Sequence, residues 1–116
     1  MSLKQELFDR ISKHLLNQNE RSVKQTAYGD SCCYRGDNGL KCAVGAIISD
    51  KKYSEKIEGR TVYTSSVIEC LPVRYQGVGS ISFIGKLQRL HDMTPVSLWK
   101  ESLKEIAANH NLVVNF

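Results

Sequence analysis

The sequence lacks both a long apolar run and an apolar leader. No stretch of the 116 residues approaches the ~20 apolar residues that a membrane-spanning helix needs, so we predict no membrane span and no membrane partner. The first residues, MSLKQELFDR, carry charge almost at once and contain no apolar core. We therefore expect no signal peptide and a cytoplasmic location.

Motifs for metals and cofactors are also missing. The cysteines form no CxxC pair, and Cys33, Cys42 and His91 lack the short ligand spacings that are typical of zinc sites. The run GVGS at residues 77–80 has neither the preceding strand nor the Lys-Ser/Thr pair of a phosphate-binding P-loop. We therefore predict no metal site and no cofactor.

No internal repeat, low-complexity segment or linker divides the chain, so we predict one globular domain over residues 1–116. The composition, with 41% hydrophobic and 24% charged residues, is that of a chain able to bury a core. The net charge is +4, and the basic excess is spread along the chain, which favours a mixed solvated surface over a nucleic-acid-binding face. If a nucleic-acid-binding face exists, its basic residues would be Lys51, Lys52, Arg60, Arg74, Lys86 and Arg89.

Apolar residues at helical spacing indicate three long helices. The first spans residues 2–17, with a serine as its N-cap, and the second spans residues 80–91. The third spans residues 94–109, because Thr94-Pro95 is a strong helix start. A shorter helix is expected within residues 64–71, ahead of a proline.

Residues 31–50, SCCYRGDNGLKCAVGAIISD, form the predicted centre of the fold. The GDNG run is typical of a tight β-hairpin turn, and with Asp37 and Asn38 as its loop, Cys33 faces Cys42 across the strands. Because an intracellular chain keeps its thiols reduced, we expect these two cysteines to be reduced, and largely buried.

The small and apolar residues that follow predict a short buried helix over residues 43–48, with Gly45 permitting a close approach of another element. The apolar tail over residues 112–116 either adds a strand or docks in the core. Residues 72–80, PVRYQGVGS, begin with proline and end near two glycines, which predicts a flexible, exposed contact loop. The candidate binding residues are Arg60, Arg74, Tyr75, Gln76 and Arg89.

His91 borders the apolar face of its helix and allows two interpretations. In the enzymatic one, Cys42 is a nucleophile, His91 its base and Asp50 the group that orients the ring, because Asp92 is poorly placed to orient its own neighbour along one helix. In the structural one, His91 is a packed histidine that hydrogen-bonds an acidic or backbone oxygen near the helix at 43–48. We favour the structural interpretation.

A family resemblance rests on several short motifs. They are CAVGAII at residues 42–48, Asp50, Tyr53, Glu58-Gly59, Leu87-Gln88, His91-Asp92, Trp99 and Ile106-Ala107. Together they resemble small uncharacterised proteins of tailed bacteriophages, which have a CA[IV]G run ending in Pro-Asp and an LQ..HD element. The resemblance covers roughly residues 29–112, with Ser49 in place of the proline. It implies a phage or prophage setting, inside the host cell, and no mechanism.

These observations predict an α+β fold: a mainly helical single domain with a small antiparallel β-hairpin. The predicted function is that of a non-enzymatic phage accessory protein that binds a host macromolecule, a host protein first of all, since the chain has no cofactor motif and no complete catalytic set. The first alternative is a small cysteine-dependent hydrolase or transferase that uses Cys42 and His91. The second is binding of nucleic acid or of a small anionic ligand.

Overall fold

The fold is mainly helical, and the computed structural model describes residues 2–116 of it. The elements, in chain order, are α1 (Leu3–Gln18), β1 (Val23–Thr26), β2 (Gly29–Cys32), α2 (Ala43–Ile47), α3 (Ser65–Ile68), α4 (Val78–Met93) and α5 (Trp99–Asn109). Short 3-10 turns span Asp37–Gly39, Glu55–Ile57, Val73–Tyr75 and Val96–Leu98. The α+β class, with one two-stranded antiparallel sheet, is confirmed.

α1 begins and ends as its sequence predicts. The Ser2 hydroxyl accepts the Gln5 amide at 3.0 Å, which caps the first turn. Asn19 adopts a left-handed conformation (φ 53°) and returns its amide to the Leu15 carbonyl, which closes the last turn. The buried stripe of α1 consists of Leu7, Phe8, Ile11, Ser12 and Leu15.

α2 lies at the centre of the molecule, packed against both α1 and α4. A Cβ atom at Gly45 would lie 1.9 Å from the Tyr34 carbonyl oxygen, so only glycine allows this approach. The close packing predicted at Gly45 is therefore confirmed. Ala43 and Val44 are fully buried beside it and join the same core as α1, α4 and α5.

α4 and α5 follow the predicted order with shifted starts. α4 begins at Val78, two residues before the predicted start at Ser80. Pro95 leads into a 3-10 turn at Val96–Leu98, and α5 continues directly from that turn. Within residues 2–116, none of the helices combines the length and apolar character that crossing a bilayer requires.

The β-hairpin lies upstream of its predicted position. β1 pairs with β2 in the register Val23↔Cys32 to Thr26↔Gly29, around a tip at residues 27–28. The GDNG run instead forms a 3-10 turn, flanked by a single isolated bridge between Arg35 and Lys41. The sequence missed β1 and β2 because their residues are almost all exposed, so the strands show no alternation of apolar and polar residues.

The predicted pairing of Cys33 with Cys42 is wrong by one residue. Asn38 (φ 60°) and Gly39 (φ 75°) are both left-handed, and the loop between the bridged residues is longer than the two-residue turn that we predicted. The Cys42 amide consequently bonds to the Tyr34 carbonyl at 3.2 Å. A shift of one residue turns side chains to the opposite face, so Cys42 is fully buried while Cys33 stays partly exposed.

The C-terminal tail docks on α1 and adds no strand. The Val113 amide donates to the Gln5 side-chain oxygen at 2.9 Å, and the Phe116 ring lies 6.1 Å from the Phe8 ring. Docking was one of the two predicted outcomes for this segment.

Candidate functional site

A cleft of about 410 Å³ opens between the end of β2, residues 58–63 and the exposed side of α4. Its walls carry side chains of several chemical types, including Cys32, Arg60, Tyr63, Arg89 and Asp92. The cleft falls in the size range of small-ligand sites, so its floor and walls decide what the molecule is able to bind.

The floor of the cleft is a buried polar network that fixes the tautomer of His91. The Ser22 amide donates to Nε2 of the fully buried His91 at 2.9 Å, so the ring proton lies on Nδ1. Nδ1 then donates to Oδ1 of Asp92 at 2.7 Å. Both ring nitrogens are engaged, and the imidazole is neutral in this arrangement.

Gln88 extends this network to α2. Its side-chain nitrogen donates to the same Asp92 oxygen at 2.9 Å, and its side-chain oxygen accepts the Val44 amide at 3.0 Å. The Val44 amide is one of the unpaired donors at the start of α2, so Gln88 acts as a remote cap. The Gln, His and Asp of the LQ..HD element thus connect α4 to the start of α2 and to the segment before β1.

The position of Asp92 corrects one expectation. Neighbouring His and Asp residues do bond here, although we expected Asp50 to be the better partner for His91. Asp50 is 85% exposed and pairs with Arg35 at 2.6 Å and with Lys41 at 3.9 Å instead. His91 therefore bonds the carboxylate of its own neighbour, and not an oxygen at the helix of residues 43–48 where we expected its partner.

The structure gives Cys42 a capping role at the start of α2. Its sulfur accepts the Gly45 amide at 3.3 Å, and burial raises the pKa of the thiol to about 12. At neutral pH the thiol stays protonated and is a poor nucleophile. Cys42, His91 and Asp50 therefore do not assemble into the nucleophile, base and orienting group of the enzymatic interpretation.

The cysteine beside His91 is Cys32, which sequence reasoning did not select. The ligand atoms of Cys32, His91 and Asp92 all lie within 4.8 Å of one another. Burial and then the charge of Asp92 raise the pKa of the Cys32 thiol, so this cysteine is not activated either. No sequence spacing signals this proximity, because it depends on the register of the hairpin.

The hydrogen bonds of His91 do not fit a metal centre. A metal on Nε2 would displace the Ser22 amide, which that nitrogen already accepts at 2.9 Å. A metal on Nδ1 would move the ring proton to Nε2, where it would face the amide proton of Ser22. Both ring nitrogens of His91 are thus already engaged in hydrogen bonds within the protein.

Glu58, at the rim of the cleft, holds the segment after β2. Its two oxygens accept the backbone amides of Tyr34 at 2.8 Å and Arg35 at 3.1 Å, and the second also accepts the Tyr53 hydroxyl at 2.6 Å. A carboxylate with three donors contributes to stability more than a neutral acceptor would. The Glu-Gly motif thus has a structural function, as the LQ..HD element does.

The segment at residues 72–80 is not the flexible loop that we predicted. Tyr75 is fully buried, and its hydroxyl donates to a Glu6 oxygen at 2.5 Å. Arg74 pairs with the same oxygen at 2.6 Å, and Gln76 donates to the Leu71 carbonyl at 2.9 Å. These three candidate binding residues are engaged within the protein, and the Tyr75 bond is the main cause that lowers the pKa of Glu6.

Arg60 and Arg89 are placed differently. Both are exposed, and both line the cleft, one from each wall. Within residues 2–116, neither guanidinium forms an ion pair, in contrast to Arg35 and Arg74. Of the five candidate binding residues, these two are therefore free to bind a ligand.

The comparisons with known proteins add no family to these observations. The chain matches no protein-family model, no curated protein and no solved structure.

Proposed function

We propose that the protein is a phage or prophage accessory protein that acts by binding a host protein and not by catalysing a reaction. The phage setting rests on the sequence motifs at residues 42–48 and 87–92, which resemble those of small phage proteins. The absence of catalysis is supported by the engagement of Cys42, His91 and Asp92, whose polar atoms serve the fold.

The observation that carries the proposal is the exposed hairpin formed by β1 and β2. Nearly all of its residues are exposed, and Tyr28 at its tip is 100% exposed. A two-stranded hairpin gains little stability alone, so an exposed hairpin with an aromatic tip is more useful as a contact than as part of a core. Tyrosine is also among the residues that dominate the binding energy of protein interfaces.

The base of the hairpin is held firmly enough to present this tip. Arg21 donates to the carbonyl oxygens of His91 at 3.1 Å and Thr94 at 2.7 Å, which fixes the residue before the hairpin to the end of α4. The Cys33 amide donates to the Ser22 carbonyl at 2.9 Å on the other side. A fixed base and an exposed tip reduce the entropy that the hairpin loses on binding.

Affinity capture from a bacterial lysate tests this proposal with two matched variants. Tyr28→Ala removes the tip side chain, and Val73→Ala removes an 84% exposed apolar side chain from a different part of the surface. We expect one host protein to be retained by the wild type and by Val73→Ala, with at least tenfold weaker retention by Tyr28→Ala. Capture that is unaffected by Tyr28→Ala, or no specific capture, would overturn the proposal.

A further inference from the structure

One side of the molecule concentrates basic side chains along α4. Lys86 and Arg89 are three residues apart and lie next to each other on the exposed face of the helix. The one acidic residue of α4 is Asp92, three residues after Arg89, and its Oδ1 accepts hydrogen bonds from Gln88 and His91. Within residues 2–116, neither Lys86 nor Arg89 forms an ion pair.

His110 extends this basic face toward α1. The Lys86 ammonium lies 3.3 Å from its Nε2, and the Lys4 ammonium lies 3.4 Å from its Nδ1. A neutral imidazole accepts at only one nitrogen, so one of the two ammonium groups meets a second donor. Burial and the charges of Lys86 and Lys4 lower the pKa of His110, and a bound anion would relieve this crowding of positive charge.

The cleft adjoins the basic face of α4 on the side away from His110. Arg60 and Arg89 line the cleft from the segment at 58–63 and from α4, and Tyr63, which is 61% exposed, lines the same cleft. The acids that also line the cleft are Glu58 and Asp92, and both already accept the hydrogen bonds described above. Both carboxylates keep their negative charge, so the charges that line the cleft are balanced. Within residues 2–116, the guanidinium groups of Arg60 and Arg89 form no ion pair, and their N–H donors are free for a ligand.

Gly85 gives Tyr63 its place against α4. A Cβ atom at residue 85 would lie 2.3 Å from the Tyr63 hydroxyl oxygen, so the aromatic side chain rests where a larger residue would be. Glycine inside a helix costs up to about 1 kcal/mol relative to alanine. The contact with Tyr63 offers a reason for glycine at this position.

We propose that this surface, formed by Lys4, Arg60, Tyr63, Lys86 and Arg89 and called here the α4 surface, binds single-stranded nucleic acid. The cationic groups contact phosphates, and Tyr63 stacks on an unpaired base in the cleft. Single-stranded nucleic acid suits it better than a duplex because a paired base does not offer its face to a side chain. This inference does not involve Tyr28, so it stands or falls independently of the proposed protein partner.

Fluorescence anisotropy with a labelled single-stranded oligonucleotide of about 16 nucleotides tests the inference. The variant Arg60→Ala/Arg89→Ala removes two charges from the α4 surface, and Lys51→Ala/Lys52→Ala removes two from exposed residues outside the cleft. We expect the arginine variant to bind at least tenfold more weakly and the lysine variant to bind within about threefold of the wild type. Equal losses in the two variants, or no binding by the wild type at low salt, would overturn it.

The role of Tyr63 is tested separately from charge. Tyr63→Ala removes the ring, and Gly85→Ala displaces it while adding a residue that favours helix. We expect both variants to lose about fivefold to tenfold in affinity, with an unchanged dependence on salt and with wild-type circular dichroism. Wild-type affinity in both variants would show that no base stacks there, and tighter binding of the matching duplex would refute the single-stranded preference.

Discussion

The buried polar network around His91 and the exposed α4 surface differ in whether their polar side chains have partners within the protein. In the network, every charged or polar group has partners within the protein, as His91 has in Ser22 and Asp92. On the α4 surface, Arg60 and Arg89 have no such partner within residues 2–116. The residues that resemble a catalytic set therefore stabilise the fold, and the residues that look like ordinary surface charge are the ones available for binding.

The largest effect on stability is expected from a substitution at Gly45, which lies in the buried part of the molecule. In Gly45→Ala the new Cβ would overlap the Tyr34 carbonyl, which is backbone and has little room to move. We expect a loss of about 4 kcal/mol or more in the free energy of unfolding, or no folded protein, measured by urea denaturation. Gly79→Ala is the control, because nothing lies within 4 Å of a Cβ there, and it should leave stability unchanged or slightly higher. Equal stabilities would contradict the close approach of α2 to Tyr34.

Cysteine alkylation offers the second test. Burial raises the pKa of Cys42 to about 12, so its thiolate fraction at neutral pH is about a thousandfold lower than that of a thiol with the ordinary value of 9.0. We expect iodoacetamide, followed by mass spectrometry, to label the exposed Cys32 long before Cys42. Fast labelling of Cys42 that disappears in His91→Ala would favour the enzymatic interpretation and would break the comparison.

Removal of the histidine ring is expected to have a smaller effect. His91→Ala leaves the Ser22 amide without its buried acceptor and opens a cavity beside Trp99, whose ring centre lies 5.5 Å from that of His91. Together these changes should cost about 2–4 kcal/mol of stability, measured by chemical denaturation. His110→Ala is the control and should cost less than about 1 kcal/mol, because its ring lies nearer the surface. A loss below 1 kcal/mol for His91→Ala would mean that the network contributes little to the fold.

The smallest expected effect is a pH dependence that comes from His14. Burial lowers the pKa of His14, so folding favours its neutral form, and protonation favours the unfolded chain. Its contribution to stability is complete above the ordinary value of 6.5 and is lost as the pH falls below it. We expect a lower Tm at pH 5 than at pH 7.5 and a smaller difference in His14→Gln.

The control for this titration is Lys13→Gln, an exposed neighbour on α1 that should leave the pH dependence unchanged. Glu6, whose pKa is lowered, affects stability only at more acidic pH. Its contribution to stability is lost as the pH falls below the ordinary carboxyl value of 4.5. A difference between the two pH values that survives in His14→Gln would assign it to another group.

Helices were predictable from the sequence because their signals are local. The apolar spacing of α1, α4 and α5 lies within single segments, and the starts of α1 and α4 were predicted to within two residues. α5 begins at Trp99, five residues after the predicted cap Thr94, because a 3-10 turn comes first. The hairpin was not predictable in this way, because β1 and β2 bury almost nothing and carry no alternating pattern. Apolar periodicity in a sequence marks the buried face of an element, and an exposed strand has no such face.

The candidate site was predictable only residue by residue. Arg60 and Arg89 were selected for their charge, but their meeting with Tyr63 depends on how the segment at 58–63 packs across α4. Cys42 was chosen over Cys32 because we predicted the hairpin turn at Asp37-Asn38, whereas the hairpin pairs Val23–Thr26 with Gly29–Cys32. The bond between His91 and Asp92 was missed because the rotation of side chains at the end of a helix is set by tertiary partners such as Ser22.

The firm base of the hairpin has a consequence for how it moves. Gly36 lies so close to Val23 that a Cβ atom there would be 2.6 Å from its carbonyl oxygen, and the Ser22 side chain beside them is fully buried. Farther along β1, the Gln25 amide donates to the Asp37 carboxylate at 3.2 Å, and from there to Tyr28 the residues are exposed. We therefore expect the mobility of the hairpin to increase from base to tip. Its amide protons should exchange slowly at the base and progressively faster toward the tip. Motion of the hairpin is thus confined to the residues near its tip, and it requires no rearrangement of the helices beneath.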